Sequence, residues 1–374
     1  MGWHLHGRTF VKKKFASFIF LFLFVKLFSF SQFEKIEKLE TQNMPLPTKY
    51  KTLDIMGSDD ALVEKFRKTY LQKRNLKMLS KTLEEAEDLR LYVREKLQEK
   101  KMPATLEYLP LIESNYNAKA KSKSGALGLW QFMSNSTGSY LVRNEFVDER
   151  LDAWKSTDAA LAKLQDNYKI FHDWPLALAA YNLGSGAVSR LLKKHPNKNF
   201  WDFAHENLIR KETIDYVPKL LAIADIAENA RFYNIALPTA RNENGEASHP
   251  FASRFDFVEV NDCISIAKLA NELRLDDDEL LYLNASLLLG ITPPKTKFKI
   301  RFPYGMKKSA EDALARLQKT NAPISYMVKK NETLYSIAKK FKVSIDALAR
   351  ENEIDKNEKL HVGKNLAIPR EVSR

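Results

Sequence analysis

Apolar residues recur at helical spacing over most of the first 235 positions. From Asp59, Leu62, Phe66 and Tyr70 fall at four-residue steps, and the run from Leu83 to Leu97 is dense in Glu, Lys, Leu and Arg. Leu161, Leu164, Tyr168 and Phe171 form one stripe of a helix that Ser156-Thr157 is expected to cap. Asp173-Trp174-Pro175 interrupts it, and LALAAYN begins another helix with Pro175 in the first turn. Gly184 and Gly186 end that helix and turn the chain into AVSRLLKK. A further helix spans Lys211 to Ala230, with a kink expected at Pro218. No strand is predicted before about residue 235.

The texture then changes. Residues 236–250 are polar and rich in Pro, Gly and Asn, as a linker is. Two segments that resemble each other follow, one from FDFVEV to KFKIRFP and one from YMVKKN to NLAIP. Aligning Asn284 with Asn352 brings Val260 onto Val328, Ile266 onto Leu334, Leu269 onto Ile337 and Ala270 onto Ala338. Leu273 then meets Phe341, and Leu280 meets Leu348. The shared pattern is strand, helix, helix, strand: a βααβ unit used twice, with ALARLQKTNAP as a spacer. The fold class expected is mainly α, a helical domain followed by two small βααβ modules.

Composition narrows the classes. With 44% hydrophobic and 29% charged residues among 374, the chain reads as a folded soluble protein rather than a disordered or membrane-embedded one. MGWHLHGRTFVKKK followed by the uncharged run Phe15–Val25 and the small residues Ser29 and Ser31 reads as a secretory signal cleaved after Ser31. Setting residues 1–31 aside removes five basic side chains and no acid, and leaves a formal +8 of the original +13. A basic exported protein suits polyanionic envelope material, and export argues against nucleic acid. Cys263 is the only cysteine, so an intramolecular disulfide and a cysteine-rich metal site are both excluded. No histidines pair at metal-ligand spacing, and neither a metal nor a cofactor is expected.

Candidate chemistry centres on LPLIESNYN, residues 109–117. Glu113 follows Leu109, Leu111 and Ile112, and no further acid occurs until Glu145. Apolar neighbours raise a carboxyl pKa by stripping hydration from the charged form, as a general acid for glycoside cleavage requires. Lys119, Lys121 and Lys123 would oppose that and are expected to point away. Glycosidases of the usual kind use a second carboxylate, which the local sequence does not provide. A lone acid suffices if the sugar provides its own nucleophiles: its acetamido group first, then its 6-hydroxyl.

LPLIESNYN, SKSGALGLWQFM, ALAAYNLGSG and KETIDYVPKLLA resemble, in order, the motifs of goose-lysozyme-like lytic transglycosylases, and among these the membrane-bound lytic murein transglycosylase D family. The YMVKKNETLYSIAKKF segment resembles a LysM module, and residues 253–303 resemble a degenerate one. The resemblance implies a lysozyme-like catalytic domain cleaving the MurNAc–GlcNAc β-1,4 bond of peptidoglycan without water, leaving 1,6-anhydro ends. Glu113 would be the single acid/base. Tyr181 and Asn182 would line the cleft and hold the reacting sugar, Gln131 would bond the glycan, Ser114 would orient Glu113 or bind a sugar, and Tyr216 would bond Glu113 or close the groove. Trp130 is expected to pack in the core. In the LysM module, glycan contact is expected near Asn331, Glu332, Thr333, Leu334 and Ile354, with Asn331 as a helix cap. NLGSG departs from the family at Leu183 and Ser185, as Lys119 does where a proline is common, and these departures bear on substrate fit.

The organisation expected is a signal at 1–31, an extended lead-in at 32–57, a helical extension at 58–100 and a catalytic domain at 101–235. A linker at 236–250, the degenerate module at 251–304, a spacer at 305–324 and the LysM module at 325–371 complete it. The partner is peptidoglycan and the location is the periplasm or cell envelope. Peripheral contact with the membrane and the oligomeric state are left open. A hydrolytic muramidase on the same fold and a catalytically silent wall-binding scaffold are the alternatives.

Overall fold

The computed structural model describes residues 50–238, 254–321, 324–352 and 354–369. The signal segment, most of the lead-in and nearly all of the linker lie outside them. The helices of the first half are α1 (Ala61–Tyr70), α2 (Lys73–Glu85), α3 (Glu87–Glu99), α4 (Leu109–Ser114), α5 (Ala153–Phe171), α6 (Trp174–Leu183), α7 (Ser185–Lys194), α8 (Phe200–His205) and α9 (Lys211–Glu228). The second half holds β1 (Phe255–Val260), α10 (Ile266–Leu273), α11 (Asp277–Leu283), β2 (Phe298–Pro303) and α12 (Lys307–Asn321). It closes with β3 (Ile324–Met327), α13 (Leu334–Phe341), α14 (Ile345–Glu351) and β4 (Asn365–Ile368). The expected helical half and the twofold βααβ pattern are both present. Two compact units result, one from residues up to Glu85 and from Asp173 to Thr239, the other from Ala86 to His172 and from Ala240 onward.

In the first unit α1 and α6 both pack on α9. Asp225, fully buried on α9, gathers Arg67 of α1 (2.6 Å), Tyr233 (2.6 Å), Asn229 (2.9 Å) and the hydroxyl of Tyr50. Burial raises its carboxyl pKa, and the hydrogen bonds from Tyr233 and Asn229 counter the rise. The end of the lead-in is thereby fixed to α9, where the sequence pattern suggested only extended chain. Asp173 accepts from the Leu176 amide (2.7 Å) and caps α6, whose residues Pro175 to Tyr181 are buried throughout. Gly184, at φ +96°, links α6 directly to α7.

In the second unit the expected cap at Ser156-Thr157 is corrected. Helix α5 begins at Ala153, and Asp152 caps it by accepting from Trp154 (3.1 Å) and Lys155 (2.9 Å). A carboxylate facing a helix N-terminus satisfies amides and the dipole together. Ser156 and Thr157 are instead buried within the first turns.

The two βααβ modules share one internal design. β1 pairs antiparallel with β2, and β3 with β4. All six aligned apolar pairs fall in the two module cores. Asn284 donates to the carbonyls of Leu280 (3.0 Å) and Arg301 (2.9 Å) and accepts from the Arg301 amide (2.9 Å). Asn352 repeats those three bonds to Leu348 (2.8 Å) and Ala367 (2.7 Å for both). The expected spacer is corrected too: Ala310, Ala313 and Leu314 of α12 are buried in the first module's core, so the helix is part of that module. Asn331 is a turn residue at φ +66°, and the α13 cap is Thr333, in a capping box with Ser336.

Candidate active site

Glu113 sits in the last turn of α4, where the carbonyl end of a helix disfavours an anion. Leu109 and Leu111 are buried below it, and Ile112, Glu113 and Ser114 are half-buried. Asn115 (φ +51°) and Tyr116 (φ +58°) then turn the chain sharply. A left-handed tyrosine is sterically costly, and here its buried ring and its hydroxyl bond to the Glu107 carbonyl hold it. The Ser114 hydroxyl donates to the Leu129 carbonyl (2.8 Å), with the Pro110 carbonyl at 3.3 Å, and so ties α4 to the glycine-rich loop.

That loop is a scaffold of fixed turns. Gly128 has φ +84°, and a Cβ there would collide with the Arg150 carbonyl. Gln131, at φ +48°, donates its amide to the carbonyls of Gly128 (2.8 Å) and Ala120 (3.2 Å). Trp130 is fully buried as expected, and its indole N–H meets Thr157 (2.8 Å). Arg150 reaches the carbonyls of Phe132 (3.2 Å) and Gly125 (3.3 Å) while paired with Asp148 (2.7 Å). The sequence pattern did not reveal this clamp. An Asp-x-Arg pair is common, and only tertiary structure brings it behind the loop.

Glu107 is the nearest acid before Glu113 along the chain, and it is occupied. It is 1% exposed, with one oxygen on Arg90 (3.0 Å) and the other on Arg94 (2.6 Å). Lys119, Lys121 and Lys123 are exposed. The cation that senses Glu113 is Lys163 of α5, which stands 5.4 Å over the Phe132 ring. Burial lowers the Lys163 pKa, and the charge of Glu113 pulls it back up. Lys163 lies fifty residues from Glu113, so nothing local in the sequence points to it. Among the described residues no three His, Cys, Asp or Glu side chains gather as metal ligands would.

Tyr181, Asn182 and Tyr216 lie in the first unit. Tyr181 and Asn182 end α6, and Asn182 accepts from the hydroxyl of Thr213 on α9 (2.7 Å). Tyr181 and Tyr216 are buried. In the last module Glu332 accepts from Tyr326 (2.7 Å), the Lys329 amide (2.8 Å) and Lys340 (3.4 Å). Leu334 is 3% exposed, and Ile354 packs half-buried against the same core.

Residues 91–204 match the Transglycosylase SLT domain family, and the matched span carries Glu113, the glycine loop and the Tyr181-Asn182 pair. That span is similar to an SLT transglycosylase domain. The two modules match as well: residues 254–319 as Lytic transglycosylase MltD, LysM-like domain, which includes most of α12, and residues 326–369 as LysM domain. Relatives of the chain include the Membrane-bound lytic murein transglycosylase D of Escherichia coli strain K12, 30% identical over 313 residues and 79% of this chain. The protein of the same name from Escherichia coli O6:H1 matches equally. The chain spans 66% of the length of each.

Proposed function

We propose that this protein is a peptidoglycan lytic transglycosylase that cleaves the MurNAc–GlcNAc β-1,4 bond without water, with Glu113 as its single acid and base. The observation that carries the reading is the setting of Glu113 beside an acid already engaged. Glu113 stands half-buried at a helix end, while Glu107 is held by two arginines.

The steps balance with that one group. Glu113 donates its proton to the glycosidic oxygen as the acetamido oxygen of MurNAc attacks C1 and the bond to the leaving GlcNAc breaks. The resulting Glu113 carboxylate removes the proton of the 6-hydroxyl, and O6 attacks C1 and displaces the acetamido oxygen. The product is a 1,6-anhydro ring, and Glu113 is protonated again. Tyr181 and Asn182 hold the reacting sugar, where their hydroxyl and amide steady the developing charge. Tyr216 supports that wall. Gln131 and Ser114 keep the loop beside Glu113 in shape, a role that their backbone bonds support, and Gln131 also borders the glycan. The Asn331–Thr333 turn of the LysM module is the glycan contact. The basic N-terminal leader fits export to the envelope.

Heavy-oxygen water separates this from the hydrolytic alternative. Sacculi digested in H2 18O should release fragments without the label, whereas a muramidase places one labelled oxygen at each new reducing end. A silent scaffold would bind sacculi and release nothing.

A further inference from the structure

The outer faces of the two module sheets differ. Phe257 lies opposite Arg301 in the first module, and the corresponding pair in the second is Ser325 opposite Ala367. In the first module Arg301 is 5% exposed and reaches out of the module to Asp152 at the start of α5 (2.9 Å). Its guanidinium lies 4.5 Å over the Trp154 ring and 5.6 Å from the Phe257 ring. The Arg301 Nε has no hydrogen-bond partner among the described residues, a costly state for a buried charged donor.

Beside this contact a cavity of about 370 Å³ opens, within the size range of small-ligand pockets. Phe257 and Tyr304 are its exposed aromatic walls, Trp154 and Arg301 line its inner part, and Lys96 of α3 and Arg254 add charge. None of its lining residues is acidic; Asp152 and Glu99 pair with Arg301 and Lys96 without lining it. Aromatic faces carry negative potential and receive the C–H edges of a sugar ring, while arginine and lysine receive a carboxylate. A phosphate headgroup would use the cations and leave the rings idle.

We propose that this cavity is a second peptidoglycan subsite, taking a carboxylate-bearing muropeptide with its sugar ring on Phe257 and Tyr304 and its carboxylate on Arg254, Lys96 and the unmet Nε of Arg301. The proposal rests on the reading of the protein as a peptidoglycan enzyme. Neither Glu113 nor the Asn331–Thr333 turn is among the residues that line the subsite. It would hold one part of the wall while another is cut.

The test uses the full chain carrying Glu113→Gln and 5-fluorotryptophan, with the Trp154 resonance assigned by Trp154→Phe. A soluble disaccharide–tetrapeptide from sacculi should shift that resonance, and a neutral N-acetylglucosamine tetramer should shift it far less. Replacing the exposed Arg254 by Ser together with Tyr304 by Ala should weaken the response by about tenfold. Phe257→Ser, which restores the second module's residue, should weaken it as well. A silent Trp154, an equal shift with the neutral tetramer, or a shift seen only with anionic phospholipid vesicles would overturn the subsite. Cleavage of sacculi by the chain with Glu113 intact is read separately. If sacculi are cleaved while Trp154 stays silent, only the subsite is lost; if nothing is cleaved, the proposed function is lost.

Discussion

At the residue scale, Glu113 owes its environment to four neighbours of different kinds: buried leucines, a helix end, a serine bonded away from it and one half-buried lysine. The lysine yields a signed prediction. The charges of Lys163 and Glu113 attract, and that attraction favours the ionised form of each. Lys163→Met should therefore move the alkaline limb of the activity profile to higher pH, and a profile that stays in place would separate Lys163 from the acid. Gly128 yields another. Any side chain there meets the Arg150 carbonyl from a left-handed backbone, so Gly128→Ala should destabilise by about 2–4 kcal/mol in chemical denaturation. The candidate acid Glu113 was legible in the sequence because its apolar run and the acid-free stretch after it are local. Lys163, the Arg150 clamp and the two arginines on Glu107 were not, since each arrives from another helix or loop.

At the element scale, Asp152 links two structures. Its carboxylate caps α5 and also pairs with the buried Arg301 of β2. Asp152→Ala would leave a buried cation unpaired, a cost of about 3–5 kcal/mol, and should lower the thermal midpoint of the catalytic domain and the first module together. Two separate transitions with an unchanged first midpoint would show that the pair is idle. The Asp148 carboxyl has the opposite pH signature from a buried, unpaired acid. Burial pushes it up, but the hydrogen bonds and charge of Arg150 outweigh this and hold it below the usual range. Its stabilising contribution is thus complete above the unfolded carboxylate pKa and is lost as pH falls through the lower folded value. Acid titration should weaken the loop below about pH 4, and Asp148→Asn should remove that dependence. Helix positions were readable from periodicity, yet caps were not. The cap of α5 moved from Ser156-Thr157 to Asp152, and that of α13 from Asn331 to Thr333, because capping depends on which side chain the incoming loop aims at the first turn.

At the scale of the whole molecule, the repeat was the most legible feature, since βααβ packing demands the same apolar positions in both copies. What alignment could not give was the first module's own addition, an arginine of β2 that reaches Asp152 and Trp154 at the start of α5. Helix α12 likewise read as a spacer because its alanines are small, and small residues are what let it lie close on the first module. Loss of residues 326–369 should weaken retention on sacculi in a pulldown while soluble glycan fragments are still cut, and unchanged retention would remove the anchoring role from the last module. The formal charge of +8 that remains without residues 1–31 predicts that retention also falls with added salt.

The most direct measurement is mass spectrometry of fragments released from purified sacculi by the wild type and by Glu113→Gln side by side. Fragments one water lighter than hydrolysis products are predicted from the wild type, with release falling by about 10²–10⁴-fold in the variant. Full-mass reducing ends, or undiminished release by Glu113→Gln, would contradict a single-carboxylate transglycosylase.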